Sequence, residues 1–276
     1  MTKNFYFLLT GYTFSLTADW LYRLAVPMLV YKLTASSFNT ALTYALTMTT
    51  YLIFSPFGGA IAYSFDKRKI LIFGDFFGFI FSIIFAIYIS SGVQNFILFY
   101  VIIFLIASIP PMYHPTFQSF LPSIVEPKDL VKANSMLSSA DNLMTAYGPI
   151  FSGILIAAYQ IEVIIMLTVI PFFIPFICVL SIKYKSEKQN KNMLAVKKIF
   201  QNIADGFIYT TKNKVIFSCS ILFFFLNSAI NLINCNLSFI LQNKFSAQAF
   251  DLGVSYSIIH YRCNGNCWFF ACTKNN

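Results

Sequence analysis

Charged side chains are scarce in this sequence of 276 residues, at 11%, and acidic ones are the scarcest. Ten aspartates and glutamates stand against 19 lysines and arginines, and there are two histidines. The phosphate-binding pattern Gly-x-x-x-x-Gly-Lys-Ser/Thr is missing, and so is the zinc pattern His-Glu-x-x-His. These absences exclude a chain that hydrolyses ATP itself, and they predict neither a metal site nor a bound cofactor.

Apolar side chains dominate instead. They make up 58% of the sequence, with 33 phenylalanines and a mean hydropathy of +0.69, which is more than one soluble core of this size could bury. Runs of roughly 20 apolar residues are long enough to cross about 30 Å of hydrocarbon. Seven such spans are predicted, with an eighth starting near Leu252: Phe5–Tyr31, Thr40–Tyr63, Ile70–Ser90, Phe96–Met112, Asn134–Tyr159, Val163–Ile182 and Val215–Leu241.

Lysine and arginine are unevenly shared between the two sides of these spans. Fourteen fall on the side of the N-terminus, and two, Lys32 and Lys244, fall on the other. Because positive loops stay in the cytoplasm, the sequence predicts a multi-pass protein of the cell membrane with a cytoplasmic N-terminus. The basic residues are spread over membrane-edge loops, which favours lipid headgroups as neighbours and argues against nucleic acid.

The order of apolar and polar segments predicts an all-α integral membrane protein. An N-terminal bundle of six helices, residues 1–182, is followed by a basic cytoplasmic linker at 183–214. Residues 215–259 then begin a second bundle, as in carriers built from two helical halves. Within the linker, Leu194, Ile199, Ile203 and Phe207 fall at helical spacing, which predicts an amphipathic helix.

Four stretches of sequence resemble the major facilitator superfamily, in the branch that exports drugs, macrolides and siderophores. "PFGGAIAYSFDKRKIL" resembles the loop between helices 2 and 3, and "GPIFSG" resembles the antiporter motif of helix 5. "SLTADWLYRLAVPMLVYKLTASS" is similar to the first helix, and "HPTFQSFLPSIVEPKDLVKANSM" to the link from helix 4 to helix 5. The resemblance implies a carrier that exchanges protons for an amphipathic small molecule, and it fades beyond about Asp251.

The loop motif has two interpretations. The resemblance implies that Gly59 permits close helix packing while Asp66, Lys67 and Arg68 latch the two halves at a cytoplasmic gate. The simpler interpretation is a basic turn that fixes membrane topology. Both stay open, because the sequence has Tyr63 and Ser64 where the family pattern has its first Asp and Arg.

Asp19 and Arg23 are the main candidates for a transport cavity. They are four residues apart near the middle of the first span, so they share a helix face and can pair. Charges at that depth normally face a protein interior or a wet cavity, since hydrocarbon disfavours them by roughly 2.5–3.5 kcal/mol each. A buried structural pair is the alternative.

The remaining candidates lie in the third and fifth predicted helices. Gly148, Pro149 and Gly153 match the antiporter motif, in which small residues thin the helix and proline bends it. Asp75 and Asp141 are secondary acid candidates, each interpreted first as a solvated or helix-capping residue. Two membrane aspartates also raise an intramembrane aspartyl protease as a remote alternative, although Ile72-Phe73-Gly74-Asp75 lacks the first glycine of Gly-x-Gly-Asp.

The last residues, 260–276, are unlike a membrane helix. Three of the six cysteines lie there, spaced Cys-x3-Cys-x4-Cys, which matches no usual zinc spacing. Read one nucleotide later from His260, the codons permit small and apolar residues, so a frameshift that truncates a longer carrier is the hypothesis. The chain is then either a secondary transporter or a remnant that inserts and self-associates without transporting.

Overall fold

The computed structural model describes residues 1–92, 95–184, 196–245 and 250–258, and these form helices joined by short turns. Residues 250–258 are helical as well. The helices are α1 Lys3–Thr34, α2 Ser37–Ser64, α3 Lys67–Ser90, α4 Phe96–Ala107, α5 Ile109–Ile124, α6 Leu130–Ala158, α7 Ile161–Leu167, α8 Val169–Ser181, α9 Val196–Lys212 and α10 Lys214–Phe245.

Within the described residues, four segments are long and apolar enough to cross a membrane. They are Ser37–Ala62, Lys67–Ser90, Phe96–Ile124 and Ile161–Ser181. The helices α1 and α6 are 32 and 29 residues long and pack against one another and against this set, although they carry more polar residues. The prediction of an all-α, multi-pass membrane protein is confirmed.

Short polar side chains begin several of these helices. Ser36 accepts a hydrogen bond from the backbone N–H of Asn39 at the start of α2. The Asp66 carboxylate accepts a hydrogen bond from the backbone N–H of Lys69 at 3.2 Å. Asp66, which precedes Lys67, Arg68 and Lys69, therefore caps the start of α3. Such caps replace hydrogen bonds that the first turn of a helix cannot make within itself.

The predicted end of the fourth span at Met112 is wrong. The chain bends at Ser108 and continues as α5 to Ile124, so the stretch interpreted as a link is largely helical. Prolines are tolerated in the first turn of a helix, where their missing N–H has no partner to lose. Phe117 and Phe120 on this helix are almost fully buried, which holds it in the bundle.

One buried hydrogen bond compensates for a proline of α5. Pro111 has no N–H, so the carbonyl of Ala107 lacks its usual donor four residues later. The Thr50 hydroxyl of α2 lies 2.8 Å from this carbonyl oxygen and 2.7 Å from that of Thr47, so its one proton serves both acceptors, and Thr50 is fully buried. An unsatisfied carbonyl is costly inside a membrane protein, so this contact ties α2 to the bend.

The bundle has two ends, and an ion pair lies at each of them. At one end, here called the Met1 end, the terminal amino group lies 3.2 Å from Asp129, and Asn4 binds the backbone of Lys183. At the other, the Ala35 end, Lys32 forms a 2.8 Å salt bridge with Glu162. Two clusters of buried apolar side chains fill the bundle, one around Phe85 and Phe99 and the other around Phe5, Leu71 and Phe117.

The later elements agree with the predictions as far as they are described. Residues Val196–Lys212 form the predicted helix α9, which packs against α2 and α10, and Leu194 lies outside the described residues. The predicted seventh span lies within α10, where Lys214–Ala229 forms an apolar helix. The tail at 260–276, with its frameshift hypothesis, also lies outside them, and the domain boundaries stay predictions.

Replacing Thr50 by Val removes the hydroxyl without changing the shape. We expect Thr50→Val to lower the free energy of unfolding by about 1–3 kcal/mol, because the Ala107 carbonyl is left unpaired. Thr49→Val is the matched control, since Thr49 is exposed and bonds its own helix at Ala45. Thermal unfolding in detergent measures both, and equal midpoints for the two variants would contradict this role of Thr50.

Candidate transport cavity

A cavity of about 190 Å³ opens among α1, α2, α3, the end of α4 and α5, with one residue each from α8 and the 250–258 segment. Three charged side chains line it, two acidic and one basic, together with His114. The rest of the lining is rich in aromatic rings: Tyr12, Trp20, Tyr22, Tyr44, Tyr51, Tyr113, Phe172 and Tyr256.

The predicted pair of charges lies on this cavity. Arg23 Nε and Asp19 Oδ2 are 2.9 Å apart, one turn of α1 from each other. Their side chains remain 51% and 39% exposed, so both groups stay open to a ligand or to water. The Arg23 guanidinium also lies 5.7 Å from the ring centre of Trp20, within the range of a cation–π contact.

Trp20 in turn packs against the antiporter-like motif Gly148–Gly153, which lies in α6 of the structure. A Cβ built on Gly148 of α6 would lie 2.6 Å from Cδ1 of the indole, so a side chain there leaves no room for Trp20. Gly148, Pro149 and Gly153 are all buried, and the hydroxyl of Ser152 bonds the Gly148 carbonyl at 2.8 Å. The motif therefore forms the surface that supports Trp20 next to Arg23.

The 250–258 segment also packs against this motif. A Cβ on Gly253 would collide with the carbonyl of Pro149 and come within 3.3 Å of the Gly153 Cα. The Ser257 hydroxyl donates to the carbonyl of Ala146. This close backbone contact positions Tyr256, whose hydroxyl lies 2.8 Å from that of Tyr44 across the cavity.

Asp75 is a cavity residue and not a helix cap. Asp66 caps α3, whereas Asp75 lies further along the helix, beside Gly74 and Gly78, on the cavity wall. The Tyr113 hydroxyl of α5 donates to Asp75 Oδ2 at 3.5 Å. A Cβ on Gly74 would lie 3.0 Å from the Tyr113 ring, so this glycine lets the ring approach α3.

Asp141 lies behind the cavity wall. The Tyr12 hydroxyl donates to Asp141 Oδ1 at 2.7 Å, and Tyr12 lines the cavity whereas Asp141 does not. His114 of α5 lines the cavity as well. Tyr22 has a buried hydroxyl oxygen with no hydrogen-bond partner among the described residues. No sequence pattern distinguishes these tyrosines, since aromatic residues occur along all the spans.

The loop motif makes its contacts within the first bundle. Lys67 Nζ donates to the Ser119 carbonyl at 2.9 Å, and Arg68 donates to the Val179 and Leu180 carbonyls at 3.4 and 2.7 Å. Cations near helix C-termini stabilise the exposed carbonyls there.

The close helix approach predicted for Gly59 is made by Gly58 instead, where a Cβ would collide with the carbonyl of Pro111 of α5. A Cβ on Gly59 would meet no described atom within 4 Å, and the gate role of the motif stays a prediction.

Comparison with known proteins assigns this architecture to the major facilitator superfamily. The sequence model of one family in this superfamily, described as transmembrane secretion effector, matches residues 1–258. The chain therefore belongs to that family. It is also 27% identical over 173 residues to an uncharacterized MFS-type transporter, YfiS, of Bacillus subtilis strain 168. The matched stretch covers 62% of this chain and 40% of that relative.

Filling the space at Gly148 tests the support of Trp20. We expect Gly148→Ala to push the indole out of its buried position, shift its fluorescence emission to the red and cost about 1–3 kcal/mol of stability. A Trp268→Phe background leaves Trp20 as the single tryptophan of the 276 residues. Gly59→Ala in that background is the control, and an unchanged spectrum for Gly148→Ala would refute the contact.

Proposed function

We propose that this chain acts as a secondary active transporter that moves an amphipathic small molecule out of the cell in exchange for protons. The observation that carries the proposal is the cavity, which combines a charged pair with a wall of aromatic rings inside a bundle of the major facilitator superfamily. Apolar walls with a few placed polar groups are typical of small-molecule sites. No resident cofactor is needed, since the ion gradient supplies the energy.

The position of the charges supports a role in transport. Asp19 and Arg23 lie near the middle of α1, where a charge is tolerated when it faces a cavity or a partner. Both side chains keep a large exposed fraction, although burial would suit a purely structural pair better. They are therefore placed to meet a solute and to rearrange when the cavity changes shape.

The direction of transport and the coupling to protons come from the resemblance of the helix 5 motif to that of proton-coupled exporters. The contact of Gly253 with Pro149 and Gly153 is relevant to alternating access itself, because small residues let the two helix backbones approach closely there. Alternating access requires such a surface between the two halves of a carrier.

We propose further that the protein lies in the cell membrane with the Met1 end in the cytoplasm. The Met1 end carries Lys67 and Arg68 and the terminal amino group, and positive loops favour the cytoplasmic side.

Labelling of single cysteines tests this orientation. In a cysteine-free background, an impermeant maleimide added to intact cells is expected to label Ser91→Cys and to leave Lys212→Cys unlabelled. The reverse pattern would refute the orientation.

Efflux from loaded cells tests the function. Cells that express the 276-residue chain are expected to export ethidium or a macrolide faster than cells with an empty vector, and an uncoupler should abolish the difference. Asp19→Asn should slow export at least about tenfold, because it leaves Arg23 unpaired in the cavity. Efflux equal to that of the vector, with the protein present in the membrane, would favour a chain that inserts without transporting.

A further inference from the structure

An open cleft, separate from the transport cavity, lies at the Met1 end of the bundle. It is lined by Arg68 of α3, by Leu180 and Ser181 at the end of α8, and by Ile182, Lys183 and Tyr184, which follow α8. The charged side chains of this lining are both cationic, and no acid joins them among the described residues. Positive charge gathered in this way favours an anionic ligand.

The two cations keep hydrogen-bond donors for such a ligand. Arg68 uses Nε and Nη2 to bond the carbonyls of Val179 and Leu180 at 3.4 and 2.7 Å. A guanidinium has five N–H groups, so the other three have no acceptor within the described part of the chain. The Lys183 side chain is exposed, while its backbone N–H and carbonyl both bond Asn4. Asn4 therefore holds the Lys183 backbone at the cleft and leaves the ammonium group to a ligand.

The acid closest to Arg68 in the sequence does not neutralise the cleft. The Asp66 carboxylate accepts its hydrogen bond from the backbone N–H of Lys69, where it caps α3, and it does not line the cleft. Lys67 donates to the Ser119 carbonyl on another side of the turn. The turn itself holds three cations and one acid, so its net charge is positive.

The cleft lies at the level where two membrane spans leave the hydrocarbon. The span Lys67–Ser90 begins beside it, and the span Ile161–Ser181 ends in it. Lipid headgroups occupy this level of a bilayer, and anionic headgroups attract lysine and arginine there. The position therefore favours the phosphate of a lipid over a dissolved anion.

An apolar strip runs from the cleft along α8. Leu180 lines the cleft, and Phe176 and Phe173 precede it by four and seven residues, on the same helix face. Leu180 and Phe173 are exposed, and Phe76 of α3 widens the strip, with its ring centre 5.7 Å from that of Phe176. At 1.5 Å per residue the strip is about 10 Å long, which gives an acyl chain a continuous apolar surface next to the cations.

We propose that this cleft binds an anionic phospholipid. The phosphate group contacts Arg68 and Lys183, and one acyl chain lies along Leu180, Phe176 and Phe173. The bound lipid joins the start of α3 to the end of α8. The site shares no residue with the transport cavity, so the proposal does not depend on the transport function.

Ligands that differ in headgroup or in acyl chains test the proposal. The purified 276-residue chain in a non-ionic detergent is mixed with dioleoylphosphatidylglycerol or with dioleoylphosphatidylcholine, and native mass spectrometry counts the bound lipids. We expect saturable binding of phosphatidylglycerol, at least about tenfold tighter than that of phosphatidylcholine. Inorganic phosphate and glycerol 3-phosphate should not compete, because they have no acyl chains. Equal binding of the two lipids, or displacement of the lipid by phosphate alone, would overturn the proposal.

Variants identify the cations. Lys183→Gln should weaken phosphatidylglycerol binding about fivefold, because one cation near an anionic headgroup contributes about that factor, and Arg68→Gln should weaken it at least as much. Lys69→Gln is the matched control, since Lys69 is exposed and lies one residue from Arg68 but outside the cleft. It loses the same charge and should keep its affinity within about twofold. Equal losses for Lys69→Gln and Lys183→Gln would show a general attraction to a basic surface and refute the site.

Thermal unfolding distinguishes a lost ligand from a damaged fold. Arg68→Gln removes hydrogen bonds to the end of α8, so it is expected to lower stability even without lipid. Lys183→Gln keeps the backbone contacts with Asn4 and should unfold like the unchanged chain when no lipid is present. Phosphatidylglycerol should then raise the unfolding temperature of the unchanged chain and of Lys69→Gln more than that of Lys183→Gln. An equal rise for all three would contradict the role of Lys183.

Discussion

The cost of placing a polar group against hydrocarbon determines most of this structure. A backbone carbonyl without a donor, or a charge without water or a partner, is disfavoured by several kcal/mol in a bilayer. Several polar groups of the bundle are accordingly paired internally or face the cavity. Thr50 bonds the carbonyl that Pro111 leaves free, Asp19 pairs with Arg23, and Asp75 accepts a hydrogen bond from Tyr113.

The same constraint explains how the cavity is built. Small residues let a large side chain approach the backbone of a neighbouring helix closely, as Trp20 does at Gly148. The segment at 250–258 uses Gly253 in the same way against Pro149. One short motif of α6 therefore supports both Trp20, which lies beside Arg23, and the segment that contributes Tyr256 to the cavity wall.

The sequence predicts those features that depend on the spacing of residues close together in the chain. Long apolar runs indicate membrane helices, and the spacing of Asp19 and Arg23 indicates a pair, because a helix places residues four apart on one face. The end of the fourth span was mispredicted because Pro115 looks like a break in sequence, whereas the burial of Phe117 and Phe120 holds the helix together. Likewise, Asp75 looks like a cap at the start of a helix, yet the cap is Asp66.

Contacts between distant segments could not be predicted. Which tyrosines meet which aspartates depends on how α1, α3, α5 and α6 pack, and aromatic residues occur along all of them. The same holds for Arg68, which binds carbonyls of α8 far along the chain.

The structure places polar residues of the bundle on the cavity and apolar residues on its outer surface, which requires water in the cavity and lipid outside. Reaction with a charged, membrane-impermeant thiol reagent tests this in membrane fragments, where both faces are accessible. Ser15 lines the cavity, and Phe77 is 46% exposed on the outside of α3. In a cysteine-free background, Ser15→Cys should react and Phe77→Cys should not. Reaction at Phe77→Cys with none at Ser15→Cys would contradict the account.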